Sequence, residues 1–238
     1  MKNRIGRTLL WFKDENGIIK DLLEDFLGIS MLLNRLLNEV YAGKPIEFIN
    51  LSFANEEYYT TYTANPVHSL HYVGSMRGYL EYYGALDYSK LCQLSEKEQR
   101  SFIWEEACKY LQAAALKIKN PKLYEASEYA HKKGLEGKLN TDYRVLEVDA
   151  IVYGVPIKVS VSILFKHDAM YSILTIEKEG TTIWTKNIDI CEKGNGFFLE
   201  AYKKIIIEDT NLIVKGHYLM KSLPLKIHIT PAMVGIQE

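Results

Sequence analysis

Apolar residues recur every three to four positions over the first 140 residues and every second position after that. This change of period sets the expected architecture. Leu22, Leu23, Phe26, Ile29, Leu33, Leu36, Leu37 and Val40 make one broad face of a helix from about Ile19 to Ala42, stopped by Gly43 and Pro45. Gly28 marks a place for a kink. Arg7–Phe12 and Ile46–Phe53 read as short strands. Ser95-Glu96-Lys97-Glu98 is a capping-box pattern, in which serine caps the helix end and glutamate reaches back. It opens a helix carrying Phe102, Ile103, Ala107, Leu111 and Ile118. Asn120-Pro121 breaks that helix and starts another, running to about Lys133, so the two are expected to pack as a hairpin. The stretch Val67–Tyr83 reads as a further helix, with Tyr72, Met76, Tyr79 and Tyr83 on its core side and Arg77, Glu81 and Tyr82 exposed.

Beyond Tyr143 the alternation is that of strands. Ile157, Val159, Val161, Ile163 and Phe165 alternate with Lys158, Ser160 and Ser162. Turn residues at Gly154-Val155-Pro156, Glu177–Thr181 and Glu208–Asn211 separate this strand from its neighbours, Ser172–Ile176, Thr182–Ile190, Tyr202–Ile207 and Leu212–Leu219. Leu225–Ile229 is the last strand, and Glu192–Gly196 is a loop. The expected fold is therefore α+β: a helical N-terminal half packed on a mostly antiparallel β-sheet formed by the C-terminal half. The chain reads as a single domain, 1–238, with 1–140 as a mainly helical layer and 141–238 as the sheet layer.

Composition narrows the function without naming it. Hydrophobic content of 47% supplies a sizeable core, and 29 basic residues against 30 acidic ones leave a formal net charge of −1. Near-neutral charge lowers the expectation of nucleic-acid binding, which relies on clustered cations, although folding can still gather a local patch. The three cysteines form no C-x-x-C pair and no disulfide framework, as suits a reducing compartment. The start, Met1–Arg7, is basic, but the apolar run Thr8–Phe12 after it is cut short by Lys13–Gly17 and so is unlike a signal peptide. The apolar stretch after Ile18 carries too many charges to span a bilayer. The expectation is a soluble, cytoplasmic protein.

Eight of the seventeen tyrosines fall between Tyr58 and Tyr88, in company with His68, His71 and Arg77. Tyrosine joins a rigid apolar ring to a hydroxyl that donates and accepts, which suits interfaces and pocket walls. The candidate partner-binding residues are Tyr58, Tyr59, Tyr62, His68, His71, Arg77, Glu81 and Tyr82. On the expected helix His68 and His71 share a face, but no third ligand is spaced nearby, so no metal is expected. Glu105 and Glu106 diverge around a helix and make no acid–base pair. No phosphate cradle, nucleophile elbow or H-E-x-x-H helix occurs, so no organic cofactor and no catalytic residue is assigned.

The run Phe102-Ile103-Trp104-Glu105-Glu106-Ala107, the tyrosine-rich segment before it and the strand-rich C-terminal half resemble bacterial polymorphic-toxin immunity proteins. That resemblance implies a soluble cytoplasmic protein that binds one cognate toxin, or another protein partner, and blocks it by occlusion. The alternative is a hydrolase-type enzyme using His68 or His71 as general base in a polar pocket with tyrosine hydroxyls and Arg77.

Overall fold

The computed structural model describes residues 5–60, 66–71 and 78–236. The chain divides into two compact units, Met1–Thr141 and Asp142–Glu238. In the first unit β1 (Ile5–Asp14), β2 (Gly17–Ile18), β3 (Ile46–Ala54), β4 (Val67–His71) and β5 (Gly78–Ala85) form a five-stranded sheet in the order β2-β1-β3-β5-β4. The central strands β1, β3 and β5 run parallel; β2 and β4 pair antiparallel at the two edges. Helices α1 (Lys20–Asp25) and α2 (Leu27–Val40) connect β1 to β3. After β3 comes α3 (Glu56–Tyr59), and after β5 come α4 (Tyr88–Gln93), α5 (Glu96–Lys117) and α6 (Pro121–Glu136).

Alternation along the parallel strands decides which face is packed. Leu10 and Phe12, Ile49, Leu51 and Phe53, and Leu80 and Tyr82 point into one core with Leu33 and Leu37 of α2 and Ile103, Trp104 and Leu111 of α5. The capping box at Ser95 and Glu98 forms as expected, and Asn120 caps α6 with Pro121 in its first turn. The α5–α6 hairpin closes tightly because Gly134 has no side chain. A Cβ there would stand 2.2 Å from the Trp104 ring, and the indole Nε1 donates to the His131 carbonyl at 3.3 Å.

The second unit is all antiparallel. Strands β6 (Tyr143–Val152), β7 (Val155–Phe165), β8 (Met170–Lys178) and β9 (Thr181–Cys191) form a four-stranded meander; β10 (Tyr202–Glu208), β11 (Asn211–Gly216) and β12 (Leu225–His228) form a three-stranded one. The tight turns carry positive φ at Tyr153 and Gly154, and again at Glu179 and Gly180, the conformation that two-residue hairpins demand. A short helix α7 (Gly196–Glu200) precedes β10 and buries Phe198. Val159, Val161, Ile163, Leu174, Ile176, Leu212 and Val214 are buried.

Three expectations are corrected. The N-terminal half is not a helical layer against a C-terminal sheet: it builds its own mixed sheet, strands and helices interleave, and the described residues form three sheets. The helix expected over Val67–Tyr83 is instead β4 and β5, with residues 72–77 between them outside the described residues. Spacings of three and four among tyrosines mimicked a helical stripe, whereas Leu80, Tyr82 and Gly84 are the period-two inward set of a strand. Finally, the long helix after Ile19 breaks at Phe26, whose φ of −100° and ψ of 11° leave the helical region, and not at Gly28. Among the described residues no helix is long and apolar enough to cross a membrane.

Candidate functional site

The carboxyl ends of the three parallel strands converge, because parallel strands in one sheet finish on the same edge. In open sheets of this kind that edge is where side chains from separate loops meet. Here β1 ends at Asp14, β3 at Ala54 and β5 at Ala85. Main-chain bonds fix the three exits: Asn55 N–H donates to the Lys13 carbonyl at 3.3 Å and Leu86 N–H to the Ala54 carbonyl at 2.7 Å. The Tyr88 hydroxyl accepts from Lys13 N–H at 3.0 Å and lies 2.9 Å from the Phe53 carbonyl, to which it donates. Burial pushes the Tyr88 phenol well above its ordinary pKa, so it serves as a neutral strut.

Around these exits opens a cleft of about 970 Å³. Asp14, Glu15, Asp21, Glu56 and Asp87 line it, with Asn55, Tyr59, Thr60, Tyr88 and Ser89 between them and Ile19, Leu22 and Leu86 at its apolar floor. Among the described lining residues there is no lysine, arginine or histidine. Several of the acids are placed by local backbone demands. Asp14 accepts from Asn16 N–H at 2.8 Å in the turn to β2, and Asp87 caps α4 by accepting from Lys90 N–H at 2.9 Å. Asn55 caps α3 through Tyr58 N–H at 2.8 Å, and its amide donates to Glu15 at 2.8 Å. Glu15's carboxyl is held below its ordinary pKa first by a backbone hydrogen bond and then by that amide. Asp21 and Glu56 are exposed in the first turns of α1 and α3.

A second polar constellation lies on the sheet face opposite the helices. Lys13 Nζ stands 3.7 Å from Glu81 Oε1 and 3.1 Å from the Tyr83 hydroxyl, with both charged side chains 19% exposed. Asn50 donates to Tyr79 at 2.8 Å, and Ser52 and Tyr79 each lie 3.4 Å from a Glu81 oxygen. Burial, and then the Glu81 charge, raise the Tyr79 phenol. Trp11 Nε1 and Asn50 Oδ1 on the same face are buried without a hydrogen-bond partner.

The sequence-based candidates separate on this frame. Tyr59 lines the cleft and Tyr58 is half-buried beside it on α3. Glu81 belongs to the sheet-face network and is not an exposed residue. Tyr82, expected to be exposed, is 8% exposed and packs against Tyr110 with ring centroids 5.8 Å apart, so it is a core residue. His68 and His71 lie in β4, so the helical face on which they were to meet does not exist. Tyr62 and Arg77 lie outside the described residues. The candidates drawn from the sequence include none of the cleft's five acids, Asp14, Glu15, Asp21, Glu56 and Asp87. The signal for the first and last was present, since each acid stands at a turn or cap position at the end of an apolar run, Asp14 one residue beyond it after Lys13 and Asp87 directly after Leu86. Among the described residues no group of three His, Cys, Asp or Glu is arranged to hold a metal. Comparison with protein-family models, curated proteins and solved structures finds no match to this chain.

Proposed function

We propose that the chain is a non-catalytic, protein-binding inhibitor whose acidic cleft receives a cationic segment of a partner protein and thereby occludes the partner's active site. This is the role of an immunity protein toward a cognate toxin. The observation that carries the reading is the convergence of five carboxylates, with Tyr59 among them and no cation among the described lining residues. A cleft lined by acids of one sign attracts and steers a lysine- or arginine-bearing segment of a partner. Tyr59 adds the large, amphipathic contact area typical of interface anchors.

The test is capture of the partner from the native cell by the tagged parent chain and by an Asp21→Asn/Glu56→Gln variant. These two side chains are exposed in helix first turns, so the variant is expected to melt within about 1 kcal/mol of the parent. Capture should fall with added salt and drop markedly in the variant, and Tyr59→Ala should weaken it by about 2 kcal/mol. Equal capture by the parent and both variants at every ionic strength would overturn the reading.

A further inference from the structure

The near-neutral composition conceals three lysines gathered on one sheet face of the second unit, around the half-buried Ile206 and Ile213. In the three-stranded sheet, Lys204 of β10 sits directly opposite Lys215 of β11, and Lys226 of β12 sits opposite Ile213 in the next row. All three lysines are exposed, while Ile205, Leu212 and Val214, alternating with them, are buried on the other side. None of the three takes part in any ion pair of the described residues. Like charges placed directly opposite on a sheet repel, and an anionic ligand would relieve that repulsion. Glu208, on the same side of β10, stands at the far end of the sheet beside Asn211 and His228.

The near end carries a different group. Just past β11, Tyr218 is 86% exposed. Its ring rests on His217 with centroids 4.4 Å apart, and His217 meets Phe197 edge-on at 5.0 Å. The loop is pinned by Ser222, which donates to Asp189 Oδ2 at 2.8 Å. An aromatic ring is thus held out toward solvent at the Lys204–Lys215 end.

We propose that this face binds single-stranded nucleic acid, with Lys204, Lys215 and Lys226 neutralising successive phosphates and Tyr218 stacking on a base. Neighbouring strands lie about 4.8 Å apart and alternate residues about 7 Å apart along a strand, a spacing that a flexible phosphodiester chain can follow. Positive charge that tracks the backbone, together with an aromatic platform for the bases, is how proteins hold single strands without reading sequence. The face belongs to the second unit alone and is independent of the acidic cleft, so either reading can fail without the other.

Fluorescence anisotropy with a short fluorescein-labelled oligothymidylate tests it on the full chain. The parent should bind at low salt, with log affinity falling linearly in log salt. The triple variant Lys204→Gln/Lys215→Gln/Lys226→Gln should lower affinity by more than about tenfold and reduce the salt slope by about 2. It should melt no lower than the parent, since it removes a like-charge pair. Tyr218→Ala should lose about tenfold in affinity with an unchanged slope. Absence of binding at low salt, or binding indifferent to these variants, would overturn the proposal. So would tighter binding of oligoglutamate than of oligothymidylate, which would make the face a dock for an acidic protein.

Discussion

The two units gather opposite charges by different routes. In the first, three parallel strands end on one edge, and Asp14, Glu56 and Asp87 meet there although tens of residues separate them in the chain. In the second, antiparallel pairing joins near neighbours, so Lys204, Lys215 and Lys226 reach one face through two successive strand pairings. A parallel sheet thus builds its charged cleft from caps and turns, whose identity the backbone partly dictates. An antiparallel sheet builds its charged face from freely chosen outward positions. The first kind of site is coupled to stability; the second can be rewritten with little effect on the fold.

The largest test of that contrast is in the core beneath the cleft. Phe53 is fully buried, stacks on Phe12 at 5.3 Å between centroids and meets Tyr110 at 5.9 Å. Phe53→Ala should cost about 3–5 kcal/mol in urea unfolding, from lost transfer energy plus the cavity left behind. A loss below about 1 kcal/mol would mean that this sheet does not pack as described.

Next come the two buried tyrosine hydroxyls. Tyr88→Phe removes the acceptor of Lys13 N–H and should cost about 1–3 kcal/mol, because a part-buried donor is left unpaired. Tyr202→Phe in the second unit should cost only about 1 kcal/mol, because Ser172 Oγ keeps the Asp189 N–H as a partner. Hydrogen exchange resolves the effect unit by unit. Tyr202 also predicts a pH dependence. Burial pushes its phenol up to about 12 from an ordinary 10.0. The folded state therefore holds its proton longer than the unfolded one. The stabilisation is complete below pH 10.0 and is lost as pH rises from there through about 12. Protection of β10 should fall over that window in the parent, and Tyr202→Phe should flatten the fall.

The same contrast explains what was legible in the sequence. In the second unit period-two alternation bounded by turn residues marks the strands, which stand within two residues of their expected places except that β11 ends at Gly216, three short of Leu219. In the first unit the helices around Leu33, Ile103 and Ala126 announced themselves by caps and spacing. β5 did not. Its sequence Gly-Tyr-Leu-Glu-Tyr-Tyr-Gly-Ala puts tyrosines on both faces, so no alternation of apolar and polar residues survives. The inward-facing Tyr82 meets the Tyr110 ring, while outward-facing Tyr79 and Tyr83 join the Asn50 and Lys13 network, and only tertiary context separates those roles. The cleft was hidden for a related reason. Asp14 and Asp87 read as ordinary turn and cap residues until the parallel order of β1, β3 and β5 brings them to one edge.

The smallest effects compare the ion pairs of the two sheets. Glu81→Gln weakens the pair with Lys13, whose side chain is 19% exposed, and leaves that ammonium with the Tyr83 hydroxyl as a remaining partner. A cost of about 1 kcal/mol is expected, since the charge is only partly solvated. In the second unit Glu147 bridges Arg144 at 2.6 Å and Lys158 at 3.0 Å, with all three side chains 37–41% exposed. Water screens these charges, and Arg144 retains Glu177 at 2.6 Å. Glu147→Gln should therefore change stability by no more than about 0.5 kcal/mol, and that change should vanish in high salt. The Glu81 effect should persist there. If both respond equally to salt, the Lys13–Glu81 pair is as open to solvent as the Arg144 network, and the sheet face of the first unit is no more sheltered than the outer face of the second.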